Sequence, residues 1–142
     1  ERYYGDALRI YRNVLGDDHF WVSIVLVNLA DVHVRQKRYD DAKAALNQAL
    51  PIRSAHLGKE HWMVADVRSR LGECLTHSGR LEEAEALLLP SLGVILDHHD
   101  AHAEPVQAAL KRVVGLYERW GRNDLVTEYR SRLNADGASS NK

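Results

Sequence analysis

Two groups of side chains have the types and spacing that chemistry could use. Cys74 stands three residues before His77, a separation that brings thiol and imidazole to neighbouring positions on a helix. Such a pair attacks a substrate only where the thiol pKa is depressed, and a small buried cysteine is the commoner meaning of a lone Cys. His98, His99, Asp100 and His102 form the second group, in which His98 and His102 have the i, i+4 spacing of a helical metal pair. Only two or three ligands would converge there, at a point where a helix is about to end, so neither a metal nor any other cofactor is expected. The sequence has no Gly-rich phosphate loop, no H-E-x-x-H, no G-x-S-x-G and no pair of acids isolated in an apolar setting. Catalysis is therefore not expected, and the candidate function is binding.

Composition narrows the partner. The chain of 142 residues is 45% apolar, enough for one real core. Lys and Arg total 19 against 20 Asp and Glu, and a net charge of -1 creates no field to draw in a polyanion. Nucleic acid is thus an unexpected partner, and an RNA-reading repeat is disfavoured by the same balance. Cys74 alone cannot build a disulfide framework or a multi-thiolate zinc site, and it suits a reducing, cytoplasmic compartment. No apolar run approaches the ~20 residues of a membrane helix, so no membrane partner is expected.

The elements that position side chains follow from an internal repeat. A shift of 42 residues carries Leu15-Gly16-Asp17-Asp18-His19 onto Leu57-Gly58-Lys59-Glu60-His61, and Arg38-Tyr39-Asp40-Asp41-Ala42 onto Arg80-Leu81-Glu82-Glu83-Ala84. The same shift aligns Val22, Val64 and Val106, and takes Arg80 to Arg122. Repeats of this length mark stacked units, none of which buries its apolar face without a neighbour. Apolar residues fall at i, i+3, i+4 and i+7, the stripe of an α-helix rather than the alternation of a strand. Each copy holds two helices. The first packs through Leu26, Leu29, Ala30 and His33, then Arg68, Leu71, Gly72 and Leu75, then Leu110, Val113, Val114 and Tyr117. The second packs through Ala42, Leu46 and Ala49, then Ala84, Leu88 and Ser91, then Val126, Arg130 and Leu133. Helices are predicted near 3–15, 19–36, 39–57, 61–78, 81–98, 104–120 and 123–134, with kinks at Pro51 and Pro90.

These residues resemble the tetratricopeptide repeat, whose pattern is W-x2-L-G-x2-Y followed by A-x3-F-x2-A, over about residues 1–134. The period and the Leu-Gly-x-x-His linker are similar to the longer kinesin-light-chain subtype, also common in bacterial signalling proteins. The chain departs where that family has a large aromatic at the start of the first helix, here Leu26, Arg68 and Leu110, and where it has Pro after the linker His, here Phe20 and Trp62. The resemblance implies an all-α, right-handed α-α superhelix of about three and a half repeats and seven helices. Its parts are a half repeat 1–18, repeats 19–60, 61–102 and 103–134, and a disordered tail 135–142.

The ends differ in kind. Residues 3–15 read as a second helix lacking its first, apolar on most sides through Tyr3, Tyr4, Ala7, Leu8, Ile10, Tyr11, Val14 and Leu15. The chain is expected to be cut from a longer array there, and the open face either frays or supports a homo-oligomer. The last helix places Arg130 in a column filled by Leu46 and Leu88, as suits a terminal repeat that meets water.

In the family's arrangement, equivalent positions of successive first helices line a concave groove. Three such ladders are Asn28, Arg70 and Arg112; Arg35, His77 and Arg119; and Asp31, Glu73 and Gly115. Positive rails flank an acidic strip. With Val27, Ser69 and Lys111 beside them, the ladder residues other than Gly115 are the candidate peptide-binding residues. The family's chaperone-tail clamp would need Lys, Asn, Asn, Lys and Arg at Val27, Asp31, Arg70, Ala108 and Arg112, and only Arg112 fits. The reading is a protein-protein interaction module for an extended, mixed-charge segment, with a protein or peptide as partner. The alternative is a regulatory arm of a larger bacterial enzyme such as a serine/threonine kinase, on the likeness of Leu116-Tyr117-Glu118-Arg119-Trp120-Gly121-Arg122 to the ends of such kinases.

Overall fold

Seven α-helices follow one another in the structure, a computed structural model that describes residues 2–139, and of 134–139 the backbone alone. They are α1 (Arg2–Leu15), α2 (Phe20–Arg35), α3 (Tyr39–Leu57), α4 (Trp62–His77), α5 (Leu81–His98), α6 (Glu104–Trp120) and α7 (Asn123–Ser139). No strand occurs among the described residues. Six helices begin and end within one residue of the periodicity's expectation. α7 runs to Ser139 rather than 134, because no proline follows Leu133 to stop it. The remainder of the expected tail, 140–142, lies outside the described residues. α3 and α5 continue through Pro51 and Pro90.

The helix pairs are closed by one turn used three times. Lys37 (φ 60°), Gly79 (φ 79°) and Gly121 (φ 75°) occupy the same column of the repeat, all left-handed. The following amide reaches back across the turn, Arg38 to the His33 carbonyl (2.8 Å), Arg80 to Leu75 (3.0 Å) and Arg122 to Tyr117 (3.0 Å). This hydrogen bond satisfies a carbonyl that the helix end leaves without a partner. A connection this short makes the flanking helices antiparallel. At the other end of the repeat, the Nδ1 atoms of His19 and His61 accept from the backbone N–H of Trp21 (3.2 Å) and Met63 (3.1 Å). Imidazole thus performs the capping that Ser or Asp usually performs.

The chain forms two compact units, residues 1–67 and 68–142, whose boundary falls inside α4. In the first, α2 buries Val22, Val25, Leu26, Ala30 and His33, and α3 buries Ala42, Ala45, Leu46, Ala49 and Ile52. Three alanines on one stripe of α3 let the two helices approach closely. Leu29, expected among the packing positions, is only half-buried because Val22, Val25 and Leu26 turn the stripe away from it. A charged pair, Arg53 and Asp66, enters this core. Arg53, 4% exposed, donates to the Ser23 hydroxyl (3.4 Å) and the Met63 carbonyl (3.1 Å), and lies 3.9 Å from the Asp66 carboxylate. The carbonyl and carboxylate offset the desolvation of the guanidinium.

In the second unit, the later half of α4 meets α5 at Gly72. A Cβ built there would stand 2.6 Å from the Leu88 Cγ and 3.3 Å from the Ala84 carbonyl oxygen, so the absent side chain is what admits Leu88. α6 packs on both α5 and α7, burying Val106, Leu110, Val113, Leu116 and Tyr117. The Tyr117 hydroxyl donates to Glu85 (2.7 Å), and its ring lies 5.7 Å from that of Tyr129. Burial, followed by that hydrogen bond, raises the Tyr117 pKa, so the phenol stays protonated as donor. On α7 only Val126 is buried among the described side chains; Arg130, half-exposed, pairs with Glu118 in place of the buried Leu46 and Leu88 of its column.

Candidate functional site

The later turns of α4 and the middle of α6 enclose a groove of about 600 Å³ in the second unit. Its lining alternates in a way the ladders explain. Helical spacing places Glu73 and His77 one turn apart on α4, and Ala108, Lys111, Arg112, Gly115, Glu118 and Arg119 along one face of α6. Ala108 and Gly115 are small, so the floor lies low between taller charged side chains. Glu73, His77, Lys111, Arg112 and Arg119, five of the candidates that the sequence singles out, line this one groove.

The charges are not equally available. The Arg112 guanidinium donates to Glu73 (3.3 Å) and to the buried Ser69 hydroxyl (3.1 Å). With side chains 10% and 30% exposed, Arg112 and Glu73 form a tie between α6 and α4, and the first rail and the acidic strip neutralise one another there. Arg119 donates to the His77 Nδ1 and carbonyl, each at 3.5 Å, and remains exposed. Burial lowers the His77 pKa; Glu73 acts upward and Arg119 downward, with burial the largest influence. His77 is accordingly a neutral acceptor for Arg119 at neutral pH. Lys111 is exposed and makes no ion pair among the described residues. Three cations and two carboxylates line the groove, and the exposed cations are Lys111 and Arg119.

The remaining candidates lie apart from this groove. Asn28 and Asp31 are half-buried and Arg35 exposed on α2, in the first unit, whereas Val27 is packed in that unit's core at 4% exposure. Ser69 is fully buried and acts through Arg112; Arg70 is half-buried on α4. Thr76 and Glu118 also line the groove, although the three ladders omit them. Their signal is in the sequence: Glu118 follows Thr76 by the repeat shift of 42, a further ladder beside the one through His77 and Arg119.

The chemistry-bearing groups noted first have structural partners. Cys74 is fully buried as a thiol in the core of the second unit. The Nδ1 atoms of His98 and His99 bond the carbonyls of Val94 (2.9 Å) and Ile95 (3.2 Å), finishing α5. No group of three or more potential metal ligands comes together among the described residues, and no described helix is long and apolar enough to cross a membrane.

Comparison with known proteins agrees with the repeat architecture. Residues 1–55 match the family model of the tetratricopeptide repeat, and no curated protein matches the sequence. The fold is similar to the crystal structure of BtubC (BKLC) from P. vanneervenii, with TM-score 0.78 and 18% identity over 99% of this chain and 56% of that one. It is also similar to a Podosopora anserina putative kinesin light chain with nearly identical TPR-like repeats. One crystal structure of that protein, of a singly substituted form, gives TM-score 0.71 at 17% identity, and another gives 0.68 at 18%. These cover 97% and 96% of this chain and 65% of theirs. At such identities the likeness establishes the fold, and the chain spans less than two thirds of each of these structures.

Proposed function

We propose that this chain, an array of tetratricopeptide repeats, binds an extended segment of another protein, seated in the groove between α4 and α6. The observation that carries this reading is the placement of two exposed cations, Lys111 and Arg119, over a floor kept low by Ala108 and Gly115. Positions 111 and 119 are eight residues apart on one helix, a rise of ~12 Å. That distance is suited to two acidic groups on a chain that runs along α6. Glu118, exposed between them and paired with Arg130, can share its carboxylate with a basic side chain of the segment, so a mixed-charge segment fits better than a purely acidic one. Arg112 has a different part: held by Glu73 and Ser69, it fixes the spacing of the two groove walls. The ladder residues Asn28, Asp31 and Arg35 belong to α2 of the first unit and Arg70 to α4, and none of the four lines this groove.

A fluorescence-anisotropy screen of charge-varied peptides tests this. The best binder is expected to carry acidic residues flanking a basic one, and reversing Lys111→Glu and Arg119→Glu together weakens it by at least ~10-fold. Equal binding by wild type and the doubly reversed protein places the partner surface elsewhere. Arg112→Glu is unsuitable as the sole control, because it also breaks the tie to Glu73.

A further inference from the structure

His77 is the one histidine that lines the groove between α4 and α6 among the described residues, and its contacts join the two walls. Glu73 stands one turn earlier on the same helix. From across the groove, Arg119 of α6 donates to the ring Nδ1 and to the backbone carbonyl of His77, each at 3.5 Å. Glu73 and Arg119 are the charges that act on the ring; Lys111, Arg112 and Glu118 line the rest of the groove, and no described charge of α5, packed on α4 at Gly72, acts on it. Arg112 is tied to Glu73 and Ser69, and Glu118 is paired with Arg130. Arg119 differs from them: it is exposed, and both of its contacts are long and go to uncharged acceptors.

The contact at Nδ1 exists in one protonation state only. A guanidinium has donors and no acceptor, so Nδ1 receives from Arg119 only while it carries no hydrogen. A proton added there makes Nδ1 a donor and sets two cations against each other. Attraction becomes repulsion, and Arg119, on a long flexible stem, turns toward the occupant of the groove. The lining then carries four positive groups against two carboxylates, where it had three against two. The repeat column Arg35, His77 and Arg119 has a permanent cation in two copies, and protonation supplies the charge in the copy between them.

We infer that binding in this groove is proton-linked: a proton on His77 releases Arg119 to a carboxylate of the bound segment, so an acidic segment is held more tightly as the solution turns acid. Linkage of this kind rests on the groove reading above and adds the condition under which the groove binds best. The sign follows from which state the ligand favours. In the free protein, burial holds the ring pKa below its ordinary value, with Glu73 acting upward and Arg119 downward. A ligand carboxylate beside the ring favours imidazolium, so the complex keeps the proton to a higher pH than the free protein does. Affinity therefore climbs as pH falls through the interval between the free and bound values, and levels off below the lower one. Ligand carboxylates titrate at ~4, outside that interval. A segment that set a basic side chain beside His77 would give the opposite slope.

Fluorescence anisotropy with a rhodamine-labelled peptide, acetyl-Glu-Ala-Lys-Ala-Glu-amide, tests this. Its two carboxylates are ~13 Å apart along an extended chain, close to the span of Lys111 and Arg119. The dissociation constant is expected to fall about 5- to 10-fold from about pH 7.5 to about pH 5.5. His77→Gln keeps an acceptor for Arg119 but does not titrate, and it is expected to flatten the profile to within about 2-fold. NMR titration of the His77 ring gives a second reading that needs no variant: its midpoint is expected to rise by up to about one pH unit when the peptide is added. Equal affinity at both pH values, tighter binding at the higher one, or an unmoved ring midpoint overturns proton linkage and leaves the groove reading standing. So does a pH dependence that survives His77→Gln in a protein of unchanged circular dichroism. Absence of binding at both pH values overturns the groove reading and the linkage together.

Discussion

The first unit closes around a charge and the second around a missing side chain, although one repeat generates both. Arg53, buried in the first, shifts to Ile95, which is fully buried in the second. Gly72, the notch that receives Leu88, shifts back to Ala30, which is 1% exposed and faces a unit that tolerates its Cβ. The repeat thus sets which positions are inside, and each unit then settles its own fit through the residue present there. Positions where the units diverge report local packing, and positions where they agree report the architecture.

The largest effect is expected from the shared architecture. Leu71→Ala removes a residue 7% exposed in α4 and should cost ~2–5 kcal/mol in urea unfolding. Leu133→Ala, on the half-exposed last helix, should cost clearly less. Equal losses would mean that the end of the array is as tightly packed as its middle.

The first unit's private feature comes next. Asp66→Ala leaves Arg53 without its carboxylate inside the core and should cost about 2–4 kcal/mol. Arg53→Leu together with Asp66→Ala should recover much of that, since an apolar pair there imitates the second unit. A double variant no more stable than Asp66→Ala alone would show that the Ser23 and Met63 contacts of Arg53 matter more than its charge.

Gly72→Ala probes the second unit's notch. The clash with Leu88 and the Ala84 carbonyl should outweigh the better helix propensity of alanine, for a net loss of about 1–3 kcal/mol. Gly93→Ala, where a Cβ meets nothing within 4 Å, should instead gain about 0.5–1 kcal/mol. Thermal melts of the two variants should move in opposite directions.

How far these features are legible in the sequence follows from their physical range. The 42-residue shift and the helical period set all seven helices, because both depend on which residues are apolar and on nothing distant. The groove is legible in its ladder through Glu73 and the one through His77 and Arg119. The pairing of Arg112 with Glu73 and Ser69 is not, since its members are 39 and 43 residues apart and join only when α4 and α6 are placed. Sequence likewise marks His19 and His61 as linker residues without showing that their Nδ1 atoms cap the next helix. Val27 is a candidate by its neighbours in sequence, but the core of the first unit absorbs it.

The smallest effect tests the column where the units agree in conformation but not in residue. Lys37 adopts the left-handed φ of 60° that Gly79 and Gly121 adopt freely. Lys37→Gly should therefore stabilise the first unit by about 0.5–1 kcal/mol, and Gly121→Ala should destabilise the second by a similar amount.

If partner recognition resides in the groove between α4 and α6, hydrogen exchange by mass spectrometry registers it most directly, with and without the best peptide from the charge-varied screen. Added protection is expected in peptides spanning 73–77 and 108–119, with α3 and α5 unchanged. Protection confined to α1, or to the helices away from that groove, would contradict the account.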